Sequence, residues 1–167
     1  LDYYKDAADY LSAFEELRLK SKKVIQSPPA EELYKPGVPG KFNIENATAA
    51  AKVAQELEIP EETITTTLKN FHGTWRRMEE KAKIGDCRLI DDYAHHPTEI
   101  RATLGALREE NPQARILAIF QPHQYSRTYN LLTEFGQSFH DANHVIIPNI
   151  YQVRDSESDI AKVSVQD

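Results

Sequence analysis

Residues 91–99 read Asp91-Asp92-Tyr93-Ala94-His95-His96-Pro97-Thr98-Glu99. Before them stands the apolar run Cys87 to Ile90, which reads as a buried strand. After them Ile100, Leu104 and Leu107, spaced four and three apart, mark one face of a helix. Pro97 suits the first helical position, where a missing N–H costs nothing, and Glu99 suits the positive end of a helix dipole. The stretch is therefore the loop between a strand and the helix that follows it. In an open parallel sheet, ligands bind at the loops leaving the C-terminal ends of strands. Turn chemistry explains Asp92 or Thr98, but it does not call for two histidines beside two aspartates. A functional loop is expected.

Downstream the rhythm repeats. The helix runs to Asn111-Pro112, and Ile116 to Phe120 is a continuous apolar run of the kind found in strands covered on both faces. Gln121-Pro122-His123-Gln124-Tyr125-Ser126-Arg127 then forms a second polar loop. A helix with Leu131, Phe135 and Phe139 on one side follows, and Val145 to Ile147 supplies a third strand. Alternation of this kind implies right-handed crossovers and a parallel sheet, with both polar loops on one edge. The tail from Tyr151 is polar, then reads Ile160-Ala161-Lys162-Val163-Ser164-Val165. Three strands leave an open edge, so this domain is expected to be cut short.

Upstream the pattern is helical. A helix is expected from Asp6, with Tyr10, Phe14 and Leu17 on one face and Leu11 beside them. Val24-Ile25 suggests a short strand, and Ser27 to Gly40, with four prolines and two glycines, a linker. Asn43 to Leu57 reads as a helix whose face of Ala47, Ala50, Ala51, Ala54 and Leu57 allows close packing. Pro60 to Asn70 reads as another, with Ile64, Leu68 and Phe71 in register and Glu61 and Glu62 in its first turn. His72-Gly73-Thr74 breaks the pattern. The expected division is therefore residues 1–73, mainly helical, and residues 74–167, an α/β domain with a Rossmann-like parallel sheet.

Composition narrows the function. The 167 residues are 40% hydrophobic and 28% charged, the make-up of a soluble globular protein. No apolar run approaches the roughly 20 residues of a membrane span. The lone Cys87 excludes an internal disulfide, suits a reducing compartment and is expected to be a small buried hydrophobe. A net charge of −6 argues against broad nucleic-acid binding. The HxH and HExxH spacings of common zinc sites are absent, and Ser126 lies in no GxSxG elbow. An arginine at a strand end suits a carboxylate or phosphate, whose geometry its fork matches. Neither GxxxxGK[ST] nor GxGxxG occurs, so any nucleotide must find its phosphate cradle elsewhere.

DDYAHHPTEI (91–100) followed by FQPHQYSRT (120–128) closely resembles the C-terminal domain of the Mur ligases of peptidoglycan synthesis. Within that family it resembles the members that join L-alanine to UDP-N-acetylmuramate. PGKFNIENATAA (39–50) resembles the family's HNxxNAxAA stretch at the end of the central ATPase domain. His72 to Met78 resembles its GxxRRF junction. Members that recycle murein tripeptide share AHHPT but are not expected to carry HQYSRT.

The resemblance implies an ATP-dependent ligase in the cytoplasm, using ATP and Mg2+, that works through an acyl phosphate. Asn43 and Asn46 would lie near the adenine, Arg77 would bridge toward the nucleotide, and Asp92 and Tyr93 would complete that site. His95, His123 and Arg127 would hold L-alanine, with Arg127 on its carboxylate. Residues 1–73 would be the end of the central domain. Three positions depart from the family: Phe42 stands where members have His, Met78 where they have Phe, and Gln124 where they often have Arg. The UDP-sugar domain and the P-loop half of the central domain have no counterpart in these residues. The piece alone is therefore expected to be inactive and to bind no cofactor tightly. The alternative is a non-catalytic module that binds amino acids or a protein.

Overall fold

The computed structural model of the chain describes residues 3–25 and 34–167. The start of the expected linker, residues 27–33, lies outside the described residues. Helix α1, Ala7–Lys20, begins at Asp6, whose carboxylate accepts the Asp9 N–H at 2.8 Å. Its apolar face reaches no core: Leu11 and Leu17 are each 64% exposed, and Tyr10 packs edge-on against Phe14. Among the described residues Val24 and Ile25 have no strand partner, and they are not assigned as a strand.

Helices α2, Lys41–Glu56, and α3, Glu61–Lys69, pack on one another. The N-cap of α2 is Gly40, at φ +104°, where a Cβ would also meet the Phe42 ring at 2.9 Å. The buried stripe of α2 is Ala47, Thr48 and Ala51, narrower than the sequence face; Leu57 is 69% exposed. Thr48 is wholly buried yet satisfied, donating to the Ile44 carbonyl at 2.7 Å and accepting the Tyr34 N–H at 3.0 Å.

The C-terminal region runs β1 (Glu79–Ile84), β2 (Cys87–Asp91), α4 (Pro97–Glu110), β3 (Leu117–Ile119), α5 (Tyr125–Asn130), α6 (Leu132–Gly136), β4 (His144–Ile146) and α7 (Glu157–Ile160). Strands β3 and β4 are parallel, pairing Leu117 with His144, Ala118 with Val145 and Ile119 with Ile146. The chain is thus α/β, a small parallel sheet with helices, as the alternating pattern implies. Its details differ from the sequence expectation. β2 does not join that sheet; it forms an antiparallel hairpin with β1, a strand the sequence reading missed. Gly85, at φ +60°, opens the two-residue turn with Asp86. With no helix laid over the hairpin, Cys87 and Leu89 are exposed rather than buried. β3 is likewise not covered on both faces: Ala118 turns toward the core, while Leu117 and Ile119 are 54% and 69% exposed.

The core is Ile100 and Leu104 from α4 with Phe120 and Phe135, flanked by Ala94, Ile116, Leu131 and Phe139. The expected single helix bearing Leu131, Phe135 and Phe139 is bent at Leu131 and ends at Gly136. The bend still brings both phenylalanines onto Phe120, with ring centres 5.4 Å away in each case. Each such ring contributes roughly 1.5–3 kcal/mol by leaving water. Arg108 closes the far end, donating to the Ala114 carbonyl at 2.6 Å and the Asp141 carbonyl at 2.9 Å.

Candidate functional site

A pocket of about 580 Å³ opens beside α2. Ala47 and Ala50 line it from the helix, Phe42, Leu68 and Phe71 supply apolar surface, and the side of Asn46 faces in. Thr74 and Arg77 close it from the junction that follows α3. Asn43 lines it too, but its amide already donates to the Pro39 carbonyl at 2.6 Å, holding the start of α2. The Asn46 amide is exposed and takes no partner among the described residues. The space is within the roughly 300–1,000 Å³ of small-molecule sites, and a mainly apolar pocket with a free amide donor–acceptor suits a heterocycle.

Arg77 connects this pocket to the loop after β2, its Nη1 lying 3.7 Å from Glu99. Glu99 also accepts the backbone N–H groups of His95 (3.0 Å) and His96 (3.2 Å), while His96 Nδ1 accepts the Thr98 N–H at 3.3 Å. Reciprocal capping of this kind fixes the first turn of α4. Partial burial pushes the Glu99 carboxyl up, but the His95 N–H, the charge of protonated His95, the His96 N–H and Arg77 together bring it below its ordinary value.

Asp92 is spent on structure. One oxygen accepts the Met78 N–H at 2.8 Å; the other accepts the Ala94 N–H at 2.8 Å and the Thr103 hydroxyl at 3.2 Å. Its neighbour Tyr93 donates its N–H to the Arg76 carbonyl at 2.8 Å, and its half-exposed ring lies 4.7 Å from the Arg76 guanidinium. Arg76 and Met78 both have positive φ, 54° and 49°, and these bonds hold them there. The Tyr93 ring also meets His95 edge-on at 5.2 Å, and His95 Nδ1 sits 3.0 Å from the Tyr93 carbonyl. That leaves Nε2 of His95 as the ring's outer nitrogen.

The second loop is held from the other side. His123 pairs with Tyr151 as an isolated parallel bridge, and their rings stack at 5.5 Å. Gln124, at φ +78°, donates its N–H to the Tyr151 carbonyl at 2.8 Å. Arg127, half-buried in α5, has no hydrogen bond or ion pair from its guanidinium among the described residues. Arg18, Arg76, Arg77 and Arg88, by contrast, each sit on a carboxylate. The two loops approach through the core, where Ala94 packs on the cluster that contains Phe120, the last residue before the second loop.

The family model described as Mur ligase, glutamate ligase domain matches residues 76–164, which take in both loops. The chain belongs to the Mur ligase family. Among curated members it is 47% identical over 119 residues to a UDP-N-acetylmuramate–L-alanine ligase of Salinibacter ruber, across 71% of this chain and 25% of that one. To the protein of the same name from Clostridium tetani it is 46% identical over 123 residues, 74% of this chain and 27% of the other. The solved UDP-N-acetylmuramate-alanine ligase of Thermotoga maritima matches with a TM-score of 0.62 at 30% identity, over 70% of this chain and 26% of that one. The chain thus spans about a quarter of the length of the Mur ligases it matches.

Of the residues singled out from the Mur ligase resemblance, Asn43, Asn46 and Arg77 share one pocket. Asp92, Tyr93 and His95 lie on the adjoining loop, reached through Arg77–Glu99 and Asp92–Met78. His123 and Arg127 sit on the second loop, with no hydrogen bond, ion pair or ring contact to His95 among the described residues. Sequence reasoning missed Tyr151 and Asp155, which brace that loop from 28 and 29 residues further on. A bridge between distant segments leaves no local signal to read.

Proposed function

We propose that the chain is part of an ATP-dependent ligase that joins L-alanine to UDP-N-acetylmuramate in peptidoglycan synthesis. The pocket carries this reading. Asn43 and Asn46 on one side and Arg77 on the other come from separate motif-like stretches, yet line one slot of suitable size. In this reading Asn46 reads the adenine edge, Phe42 and Phe71 hold its faces, and Arg77 leans toward the phosphates. ATP would phosphorylate the muramate carboxylate with release of ADP, and the amine of L-alanine would attack the carbonyl carbon of the acyl phosphate and expel phosphate. Phosphoryl transfer also requires Mg2+, but among the described residues no group of His, Cys, Asp and Glu could hold a metal.

L-Alanine would lie between the loops, its carboxylate on the unpaired Arg127 and its amine near His95 and His123. A bidentate guanidinium–carboxylate pair fixes orientation as well as charge. No described helix is long and apolar enough to cross a membrane, and a reaction of ATP with a UDP-sugar belongs in the cytoplasm. The test is a chimera in which this chain replaces the matching quarter of the Salinibacter ruber protein. ADP release dependent on both L-alanine and UDP-N-acetylmuramate is expected. A folded chimera that binds L-alanine but releases no ADP would instead favour a non-catalytic binding module.

A further inference from the structure

Among the described residues, the carboxylates of Asp92, Glu99 and Asp155 each accept at least two backbone N–H groups. The first two serve the loop after β2. Asp155 serves the other loop, from the segment that follows β4. Its Oδ1 accepts the Ser126 N–H at 3.1 Å, in the first turn of α5, and its Oδ2 accepts the Val153 N–H at 3.0 Å. One side chain thus ties residues 151–155 to the turn that carries Arg127.

The rest of that segment also grips the second loop. The Tyr151 N–H donates to the Pro122 carbonyl at 2.8 Å, and the Gln124 N–H donates back to the Tyr151 carbonyl at the same distance. The Tyr151 ring stacks on His123. Residues 122–127 are therefore clamped at both ends, by Tyr151 before Gln124 and by Asp155 after it. Between the clamps lies Gln124 at φ +78°, a conformation that a non-glycine residue keeps only when its surroundings impose it. Burial raises the Asp155 carboxyl, but the N–H groups of Val153, Ser126 and Tyr125 outweigh it, so the group stays ionised and the clamp closed.

We propose that Asp155 is a positioning residue for the amino-acid subsite: by joining residues 151–155 to the start of α5, its carboxylate sets where His123 and Arg127 stand. This rests on the functional reading given above. Without the carboxylate, Gln124 keeps its bonds to Tyr151 and Thr128 but loses the restraint on the turn that follows it, and the Ser126 N–H in the first turn of α5 loses its side-chain acceptor. The His123–Tyr151 stack and the Arg127 guanidinium then sample more than one placement. Asn keeps the shape but must turn an amide donor toward one of the two N–H groups, so it retains half of the clamp.

Two measurements test this. In the chain as it stands, the Asp155→Asn variant is expected to shift and broaden the NMR signals of the Arg127 Nε–H and the His123 ring, leaving those of α2 and α3 unchanged. Unaltered Arg127 and His123 signals overturn the proposal whatever the enzyme does. In the active chimera, Asp155→Ala is expected to raise the L-alanine KM about tenfold, in keeping with loss of a capping bond. Asp155→Asn should fall between it and the parent, the ATP KM should stay within about twofold, and kcat should change far less. Equal rises in both KM values, or failure of both variants to fold, would make Asp155 a stability residue and overturn the proposal. An inactive parent chimera counts against the functional reading alone, because the NMR result is independent of it.

Discussion

Asp92→Ala is expected to destabilise the chain by about 2–3 kcal/mol. The Asp92 carboxylate holds three protein groups: the Met78 and Ala94 N–H groups, each at 2.8 Å, and the Thr103 hydroxyl at 3.2 Å. Hydrogen bonds to a charged group contribute roughly 1.5–3 kcal/mol each when removed singly. Asp92 is only half-buried, so water can reach some of the released donors, and the Thr103 bond is long. Two bonds at the lower end of the range give the figure above. The geometry makes a further demand, because Met78 has φ +49° and belongs to the junction beside the pocket. Asp92→Asn should cost roughly half as much, since its amide nitrogen must face one of the two N–H donors while its oxygen keeps the other. Thermal and urea unfolding followed by circular dichroism would measure this, with a fall in midpoint of roughly 5–10 °C for a chain of this size. A loss below about 0.5 kcal/mol, the level of an ordinary surface change, would show that Asp92 does not hold the junction. Its carboxylate would then be available to a ligand.

Arg127→Lys in the active chimera should raise the L-alanine KM strongly, by about 2 kcal/mol or more of binding, because a point charge loses the fork; near-normal alanine dependence would exclude Arg127 as the clamp. Asn46→Ala should raise the ATP KM while leaving the melting temperature unchanged, since that amide has no partner among the described residues; an effect confined to the L-alanine KM would contradict the pocket assignment. The Glu99 carboxyl lies below its ordinary value, so its stabilising share is full above the unfolded-state pKa of about 4.3 and is lost as pH falls through the lower folded value. The stability gap between the parent and Glu99→Gln, read from urea unfolding, should therefore be large at neutral pH and shrink in acid; an equal gap at both would refute the assignment.

The helices were legible because their signals are local. Asp6 as a cap, Pro97 and Glu99 at the start of α4, and the spacing of Ile100 and Leu104 each act within a turn or two. The apolar runs at 87–90 and 116–120 were placed correctly as strands, but their burial was not legible. Whether a strand is covered depends on what packs over it, and nothing in Cys87 or Ile119 records that. β1 was missed because Glu79-Glu80-Lys81-Ala82-Lys83 is a charged run, and its partner is recognised only across the Gly85-Asp86 turn. That dipeptide between two strand-length segments was a usable hairpin signal.

What separates candidate ligand-binding groups from structural ones here is the use of their hydrogen-bonding capacity. Asp92, Glu99 and Asp155 are each engaged by N–H groups of their own fold. Buried or half-buried polar groups are normally matched in this way, since an unmatched one costs about 1–3 kcal/mol. Among the described residues Arg127, half-buried in α5, and Asn46, which lines the pocket from α2, have no such matches. Stability alone would favour pairing Arg127 with a carboxylate, as Arg76, Arg77 and Arg88 are paired. A cation that the fold positions but does not neutralise is best explained by an anion that arrives from outside. In the proposed reading the acids fix the loops, and the unmatched arginine and amide are left for the ligands.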